Sequence, residues 1–437
     1  MSIELITILM FGSLFLLLAL GLPVAFACGT VGVVFTAFLQ GPAAVNIVPT
    51  RIFGLMVNYL LAAIPLFIFM ACILERSGLI GDIYEMVYQW LAWLKGGVAT
   101  ATIGACTMMA AMCGVIGASE VTMGVIALPQ MLKRKYDKSI ACGSILAGGT
   151  LGILIPPSVM LIVYGMVDNS SIGRLYAGAI LPGLMLATIY AIYITIRAYI
   201  NPVLGPPIPK EERLSTSRKI KLLYPIIPSG ILIFLVLGTI YTGVAAPTEA
   251  AGVGAAGAIL ITFMQGKLRW NGIAQACEST LKSSAMVLWT MFGANIFVAL
   301  YVMVGGSAFV TDILVGSGLN RWVILWIMQG MLIFLGAFID WVGIIMLTVP
   351  IFGPIIRQLG FDPVWFGVLF AVNLQMSFLT PPFGYALFYL KGVAPPEVST
   401  TDIWKAAAPF IGLQFVGLAL CMMFPEIILV FPRLLYG

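Results

Sequence analysis

Apolar runs of roughly membrane length, broken by short polar or Gly/Pro stretches, fill this 437-residue chain. Residues 5–20 and 24–39 predict two spans divided by Gly21-Leu22-Pro23. A loop follows at 40–51, then a third span at 53–74. Residues 83–94 are aromatic-rich and too short to cross, which places them at the interface. Residues 97–116 and 120–132, joined by Gly117-Ala118-Ser119, predict a re-entrant hairpin; 139–167 is a helix broken at Pro156-Pro157, and 176–200 is another span. A polar linker, 201–221, separates this plan from a second statement of it. Spans at 222–241, 246–264 and 283–304 lead to a second hairpin, 322–356, a helix broken at Pro381-Pro382, 364–390, and a last span, 404–430. The predicted fold is therefore an all-α polytopic membrane protein with a first repeat at 1–200, a cytoplasmic linker and a second repeat at 222–437. Each repeat has about five spans plus one hairpin (97–132 and 322–356), and the odd number of crossings makes the second inverted relative to the first.

The strongest evidence for duplication is an interval. Tyr136-Asp137 precedes Pro156-Pro157, and Phe361-Asp362 precedes Pro381-Pro382, with 19 positions from Asp to the first Pro in both. Upstream, each copy has an apolar segment interrupted by small or acidic residues, Gly117-Ala118-Ser119-Glu120 and Phe338-Ile339-Asp340-Trp341, and closed by a proline, Pro129 and Pro350. Proline has no N–H, so Pro156 and Pro157 would orphan the carbonyls of Gly152 and Ile153, and Pro381 and Pro382 those of Ser377 and Phe378. At membrane depth such groups are tolerated only when buried in protein, lining a wet cavity or holding an ion. A kink repaired by neighbouring helices explains one such break, whereas two at matched spacing point to a transporter's binding centre.

Composition agrees with a membrane protein: 61% of residues are hydrophobic, 9% are charged, and the mean hydropathy is +1.09. The apolar amino terminus reads as a first helix and not as a signal peptide. With the linker in the cytoplasm, five of the 22 Lys and Arg residues (Arg51, Arg174, Arg321, Arg357, Arg433) fall outside and 17 inside, as the positive-inside rule asks. Both termini then face the periplasm. The net charge of +5 is a topology signal that needs no nucleic-acid partner. Seven cysteines without CxxC spacing read as packing residues, and the absence of His removes imidazole chemistry.

An acidic group at membrane depth costs roughly 2.5–3.5 kcal/mol on insertion scales, so Glu120, Asp340 and Glu249 each need a reason. They either coordinate a cation or relay charge, or they pair with backbone amides at a helix start. Ser119, Thr380 and the carbonyls near Gly152 and Ser377 supply neutral oxygens for a hard cation, while Asn373 and Gln375 either face substrate or bind helices together. A channel would show a continuous polar pore, and an intramembrane enzyme would show a catalytic constellation; neither is legible, so this is not expected to be an enzyme.

The runs GASEVTMGVIALPQMLKRKYDKSIACGSILAGGTLGILIPPS, LYAGAILPG, GVAAPTEAAGVG and NLQMSFLTPPFGYALF resemble the large membrane subunit, DctM type, of tripartite ATP-independent periplasmic (TRAP) transporters over essentially the whole chain. The resemblance implies a sodium-coupled, elevator-type importer of carboxylates or related organic anions in the bacterial inner membrane, with Na⁺ as coupling ion and no other cofactor. It also implies two protein partners, a small membrane subunit and a periplasmic substrate-binding protein; the alternative is a stand-alone sodium- or proton-coupled symporter. For such a transporter the matched breaks and hairpin tips of this chain assign sodium to Ser119, Gly152, Ile153, Pro156, Asp340, Ser377, Thr380 and Pro381, and the organic acid substrate to Gly117, Glu120, Pro157, Asn373, Gln375 and Pro382. The family often has a Ser-Ser pair at the first hairpin, where this chain has Ala118-Ser119-Glu120. Aromatic faces at 83–94 and 322–326 suit the lipid bilayer or the small subunit. The chain is expected not to transport alone, because its longest polar stretch is the short linker.

Overall fold

The computed structural model describes residues 1–114, 116–381 and 384–437, leaving the side chains of Cys113 and Lys210 aside; among them the secondary structure is entirely helical. The first half runs α1 (Ile3–Ala19), α2 (Val24–Gln40), α3 (Ile47–Met56), α4 (Ala63–Arg76), α5 (Leu79–Trp90), α6 (Gly97–Cys113), α7 (Ile116–Lys133), α8 (Lys138–Thr150), α9 (Val159–Asp168) and α10 (Ile172–Ile200). After a short α11 (Thr216–Lys221), the second half runs α12 (Ile227–Tyr241), α13 (Pro247–Met264), α14 (Trp270–Met303), α15 (Gly306–Val315), α16 (Arg321–Gly336), α17 (Trp341–Gln358), α18 (Pro363–Leu379), α19 (Tyr385–Val393), α20 (Thr400–Met423) and α21 (Glu426–Tyr436).

Six helical segments among the described residues are long and apolar enough to cross a membrane: Tyr59–Arg76, α10, α13, α14, α17 and α20. In α17, 72% of the apolar window is buried inside the protein, against 39–56% for the other five. Its length alone would make it a span, yet it is the most enclosed by protein of the six.

The chain interval read from the sequence has a structural cause. Asp137 and Asp362 are the N-caps of α8 and α18: Asp137 Oδ1 accepts the Ser139 N–H at 3.0 Å, and Asp362 Oδ1 accepts the Trp365 N–H at 3.0 Å. Each then starts a buried helix that fails at a proline pair. α8 decays through a 3-10 turn, Leu151–Ile153, before Pro156, and α18 stops at Leu379, two residues before Pro381.

Several expectations need correction. The predicted loop at 40–51 contains a 3-10 turn and the first half of α3, and the single span at 53–74 is broken: Asn58 accepts the Leu60 N–H at 3.0 Å and caps a 3-10 turn, Tyr59–Ala62, that starts α4. Residues 83–90 fall in α5, which packs on α6 through the buried Ile83, Tyr84 and Tyr88. The first hairpin turns at Gly114, whose φ is +61°, so Gly117, Ala118 and Ser119 lie in the first turn of α7 instead of joining two helices. Pro129 and Pro350 sit inside α7 and α17 and do not close them. The last predicted span divides before Pro425 into α20 and α21, and α15 was not foreseen.

The helices sort into two packed groups. In the first, α2 crosses α14 and α4 crosses α13 and α14. The α2/α14 crossing is close because glycines face it: a Cβ on Gly32 would meet the Phe297 backbone nitrogen at 2.8 Å, and one on Gly29 would meet Gly293 Cα at 3.7 Å. In the second group, α8 packs on α6, α7 and α20, and α19 on α7; α17 bridges the two, packing on α14 as well as on α9, and α4 also meets α6. The linker is strapped to this second group and not free. Gly96 N–H donates to the Gly205 carbonyl at 2.8 Å, Asp137 N–H to Leu204 at 3.1 Å, Tyr136 Oη to Pro206 at 2.9 Å, and Arg134 pairs with Glu212.

Candidate functional site

The two broken helices and the α6–α7 and α16–α17 turns meet in the middle of the second helix group. Contact is close enough that glycine is required at the seams: a Cβ on Gly149 of α8 would collide with the Glu120 side chain of α7, one on Gly336 of α16 with Ser377 of α18, and one on Gly114 would lie 2.5 Å from the Pro157 carbonyl. Gly117 faces the Tyr389 ring of α19, whose carbons would lie 3.3 Å from an added Cβ. Through this contact α19 packs on α7, and it also meets α8 and α18.

Glu120 is fully buried, and neither carboxylate oxygen has a hydrogen-bond partner; the same is true of the neighbouring Ser119 Oγ. The reading of Glu120 as a residue that pairs with amides at a helix start therefore fails. Glu249 does behave that way, accepting the Ala246 N–H at 2.8 Å at the start of α13. A buried carboxylate without a donor lacks the compensation that a desolvated cation would give it, and the Ser119 hydroxyl is a second buried oxygen left without a partner on the adjacent position of α7. Asp340 differs: it is half-buried and immediately precedes α17.

At the first break, Gly152, Ile153, Pro156 and Pro157 are all buried, and the Pro156–Pro157 bond is cis. The orphaned Ile153 carbonyl is served internally, because Ser158 Oγ donates to it at 2.5 Å while accepting the Leu161 N–H at 3.4 Å as N-cap of α9. Tyr176 Oη in turn donates to the Ser158 carbonyl at 3.1 Å. At the second break, Thr380 N–H donates to the Ser377 carbonyl at 3.2 Å, and Thr380 Oγ1 to Met376 at 2.7 Å. Ser377 Oγ is buried without a partner, Pro381 is exposed, and Pro382 lies outside the described residues.

Asn373 and Gln375 are completely buried inside the helix bundle. Asn373 Nδ2 donates to the side chain and backbone oxygens of Gln329 at 2.6 and 3.0 Å, and Gln375 Oε1 accepts from Thr150 Oγ1 at 3.4 Å, which also accepts from Gln414 Nε2 at 3.2 Å. Gln329, Thr150 and Gln414 were missed by sequence reasoning. A lone polar residue inside each apolar run was the available signal, since such groups at membrane depth need partners.

With this geometry in place, comparison with known proteins decides the family. Residues 11–427 match the model of the tripartite ATP-independent periplasmic transporter, DctM component. The chain belongs to the DctM family. It is 29% identical to the C4-dicarboxylate TRAP transporter large permease protein DctM of Vibrio cholerae, over 100% of this chain and 99% of that one. It is also 30% identical to the isethionate TRAP transporter permease protein DctMQ of Oleidesulfovibrio alaskensis, over 96% of this chain and 65% of the longer relative. Among solved structures, the Alcanivorax borkumensis YdaH transporter superposes with a TM-score of 0.55 at 15% identity, covering 88% of this chain and 90% of that one, a likeness of fold. This DctM chain is thus a multi-pass inner-membrane transport protein, the large permease of a TRAP system.

Proposed function

We propose that this DctM protein couples the inward movement of Na⁺ to the import of a carboxylate or related organic anion, delivered by a periplasmic binding protein and with a small membrane subunit at its side. The observation that carries the sodium reading is the buried, donor-free Glu120 carboxylate against Gly149 of α8, a few residues before the break. The relatives named for C4-dicarboxylate and isethionate support an organic-anion cargo. The DctMQ relative, which extends beyond the match to this chain, supports a membrane partner. The matched Asp137–α8–Pro156 and Asp362–α18–Pro381 elements support two inverted repeats, with hairpins at α6–α7 and α16–α17. The packing of the helices into two groups supports an elevator in which the group holding both breaks slides against the group built on α2, α4, α13 and α14.

The test is uptake of succinate and isethionate into proteoliposomes holding the chain, the small subunit and a substrate-loaded binding protein. Uptake should require an inward Na⁺ gradient and both partners. Full-rate uptake by the chain alone would replace this reading with a stand-alone symporter, and uptake indifferent to Na⁺ would remove the coupling ion. Orientation is tested separately: a cysteine at Ser215 should react with impermeant reagents only from the cytoplasmic side, and labelling from outside would reverse both termini.

A further inference from the structure

The corner where α11 leads into α12 meets the turn between α13 and α14, residues 265–269. Gln265 Nε2 donates to the Pro225 carbonyl at 3.0 Å, and both segments also reach α5, α11 by packing on it and the turn through Lys267, which pairs with Asp82 at 2.7 Å. Four cations gather at this corner: Arg218, Lys219 and Lys221 on α11, and Arg269, the N-cap of α14. Arg218, Lys221 and Arg269 are exposed, and Lys219 is half-exposed. Next to them in the chain, Tyr224 and Trp270 are each 80% exposed, and Phe263 and Met264, which end α13, are exposed as well.

The positive-inside rule alone puts cations on this face, but it does not account for their state. Arg76, Arg134, Lys138, Lys267, Lys282 and Lys391, which the charge distribution assigns to the same face, each hold a carboxylate, an amide oxygen or a backbone carbonyl. Among the described residues, the four at this corner take part in no ion pair and no side-chain hydrogen bond, and Asp82, the acid that reaches the corner, is spent on Lys267. Arg218 and Lys221 stand three positions apart on α11, a spacing at which like charges repel. A phosphate relieves that repulsion and fits the fork of an arginine. A free anion would use the charges and leave the aromatic and apolar surface uncovered. An amphiphile uses both, because Tyr and Trp settle at headgroup depth and the exposed end of α13 continues from them toward the acyl region.

We propose that this corner is a site for an anionic phospholipid, whose headgroup phosphate pairs with Arg218, Lys221 and Arg269 while its chains lie along α12 and α13. The site stands where the chain passes from the linker, strapped to the second helix group, to α12, which packs on α13 of the first. A lipid held there anchors the stationary end of that crossing. The anchoring role rests on the elevator reading above, whereas the site itself does not.

The test places the purified chain in detergent micelles doped with brominated phosphatidylglycerol or brominated phosphatidylcholine and follows quenching of Trp270, taken as the difference between wild type and Trp270→Phe. Phosphatidylglycerol should reach half-quenching at a concentration roughly tenfold or more below that of phosphatidylcholine. Arg218→Gln, Lys221→Gln and Arg269→Gln should each reduce this preference by about fivefold, and the triple variant should lose it. Arg218→Lys with Arg269→Lys, which keeps the charges, should retain most of it, and Lys133→Gln with Lys135→Gln, at the end of α7, should retain all of it. Equal quenching by the two lipids in wild type would overturn the site, as would a preference that survives in the triple variant. Loss of the phosphatidylglycerol quenching on adding the small subunit would also overturn it, giving the corner to protein. Micelles have no sides, so these outcomes do not depend on the orientation of the linker. In the three-part vesicles, phosphatidylglycerol should raise the uptake rate of wild type but not of the triple variant. An equal rise in both would remove the anchoring role, whereas lipid preference in micelles without any uptake in vesicles would keep the site and remove the transport reading.

Discussion

The two proline breaks occupy matching places after matching caps, yet the chain finishes them differently. The break at Pro156 is sealed: all its residues are buried, Ser158 serves the Ile153 carbonyl, and the acid beside it, Glu120, is buried without a donor. The break at Pro381 is open: Pro381 is exposed, Thr380 bonds within its own helix, and the acid of that half, Asp340, is half-buried. The same sequence device therefore gives two environments. A sealed break concentrates uncompensated oxygens where water cannot compete, which suits a tightly held ion, and an open one suits a group that meets solvent or cargo.

The largest expected difference between the two is functional. Glu120→Gln should reduce Na⁺-driven uptake in the three-part vesicles by roughly tenfold or more, since a carboxylate without donors has no other compensation. Asp340→Asn should cost less. A greater loss at Asp340 would reverse the assignment of the ion to the sealed side.

A smaller contrast concerns the hydroxyls. Ser119→Ala removes an oxygen that nothing else uses, so the sodium concentration for half-maximal uptake should rise severalfold while the amount of protein in the membrane stays constant. Thr380→Ala removes a bond to Met376 inside the same helix and should move the curve less. Equal shifts in both would show that the hydroxyl of the open break is as close to the ion as that of the sealed one.

The third contrast is one of stability. Ser158→Ala leaves the buried Ile153 carbonyl unserved and should cost about 1–2 kcal/mol, read as a lower thermal midpoint in detergent. Thr380→Ala should cost under about 1 kcal/mol, because its half-buried bond is replaced in part by water. Similar losses at the two positions would mean that the breaks are equally enclosed.

Much of this was legible in the sequence, for stated reasons. Hydropathy locates α1, α2 and α13 closely because each is an unbroken apolar run, whereas it starts α12 five residues early, across the turn that holds Pro225. The Asp-to-Pro interval locates α8 and α18 because a cap and a helix breaker are both local chemistry. What hydropathy cannot see is a break made by a polar cap inside an apolar run, as at Asn58, or a turn made by one glycine at positive φ, as at Gly114. At the site, the sequence named Ser119, Glu120, Asn373 and Gln375, but it could not tell an oxygen left without a partner from one consumed by a distant residue. Gln329, which accepts from Asn373, enters from α16, 44 positions away, and Gln414, which donates to the Thr150 hydroxyl that serves Gln375, enters from α20, 39 positions from Gln375.

The most direct test of the sealed-break account is sodium binding to the purified chain, followed by isothermal titration calorimetry on wild type, Glu120→Gln and Asp340→Asn at equal folded fraction. The account predicts that wild type binds Na⁺, that Glu120→Gln loses the measurable heat of binding, and that Asp340→Asn retains it. Undiminished Na⁺ binding in Glu120→Gln would contradict it.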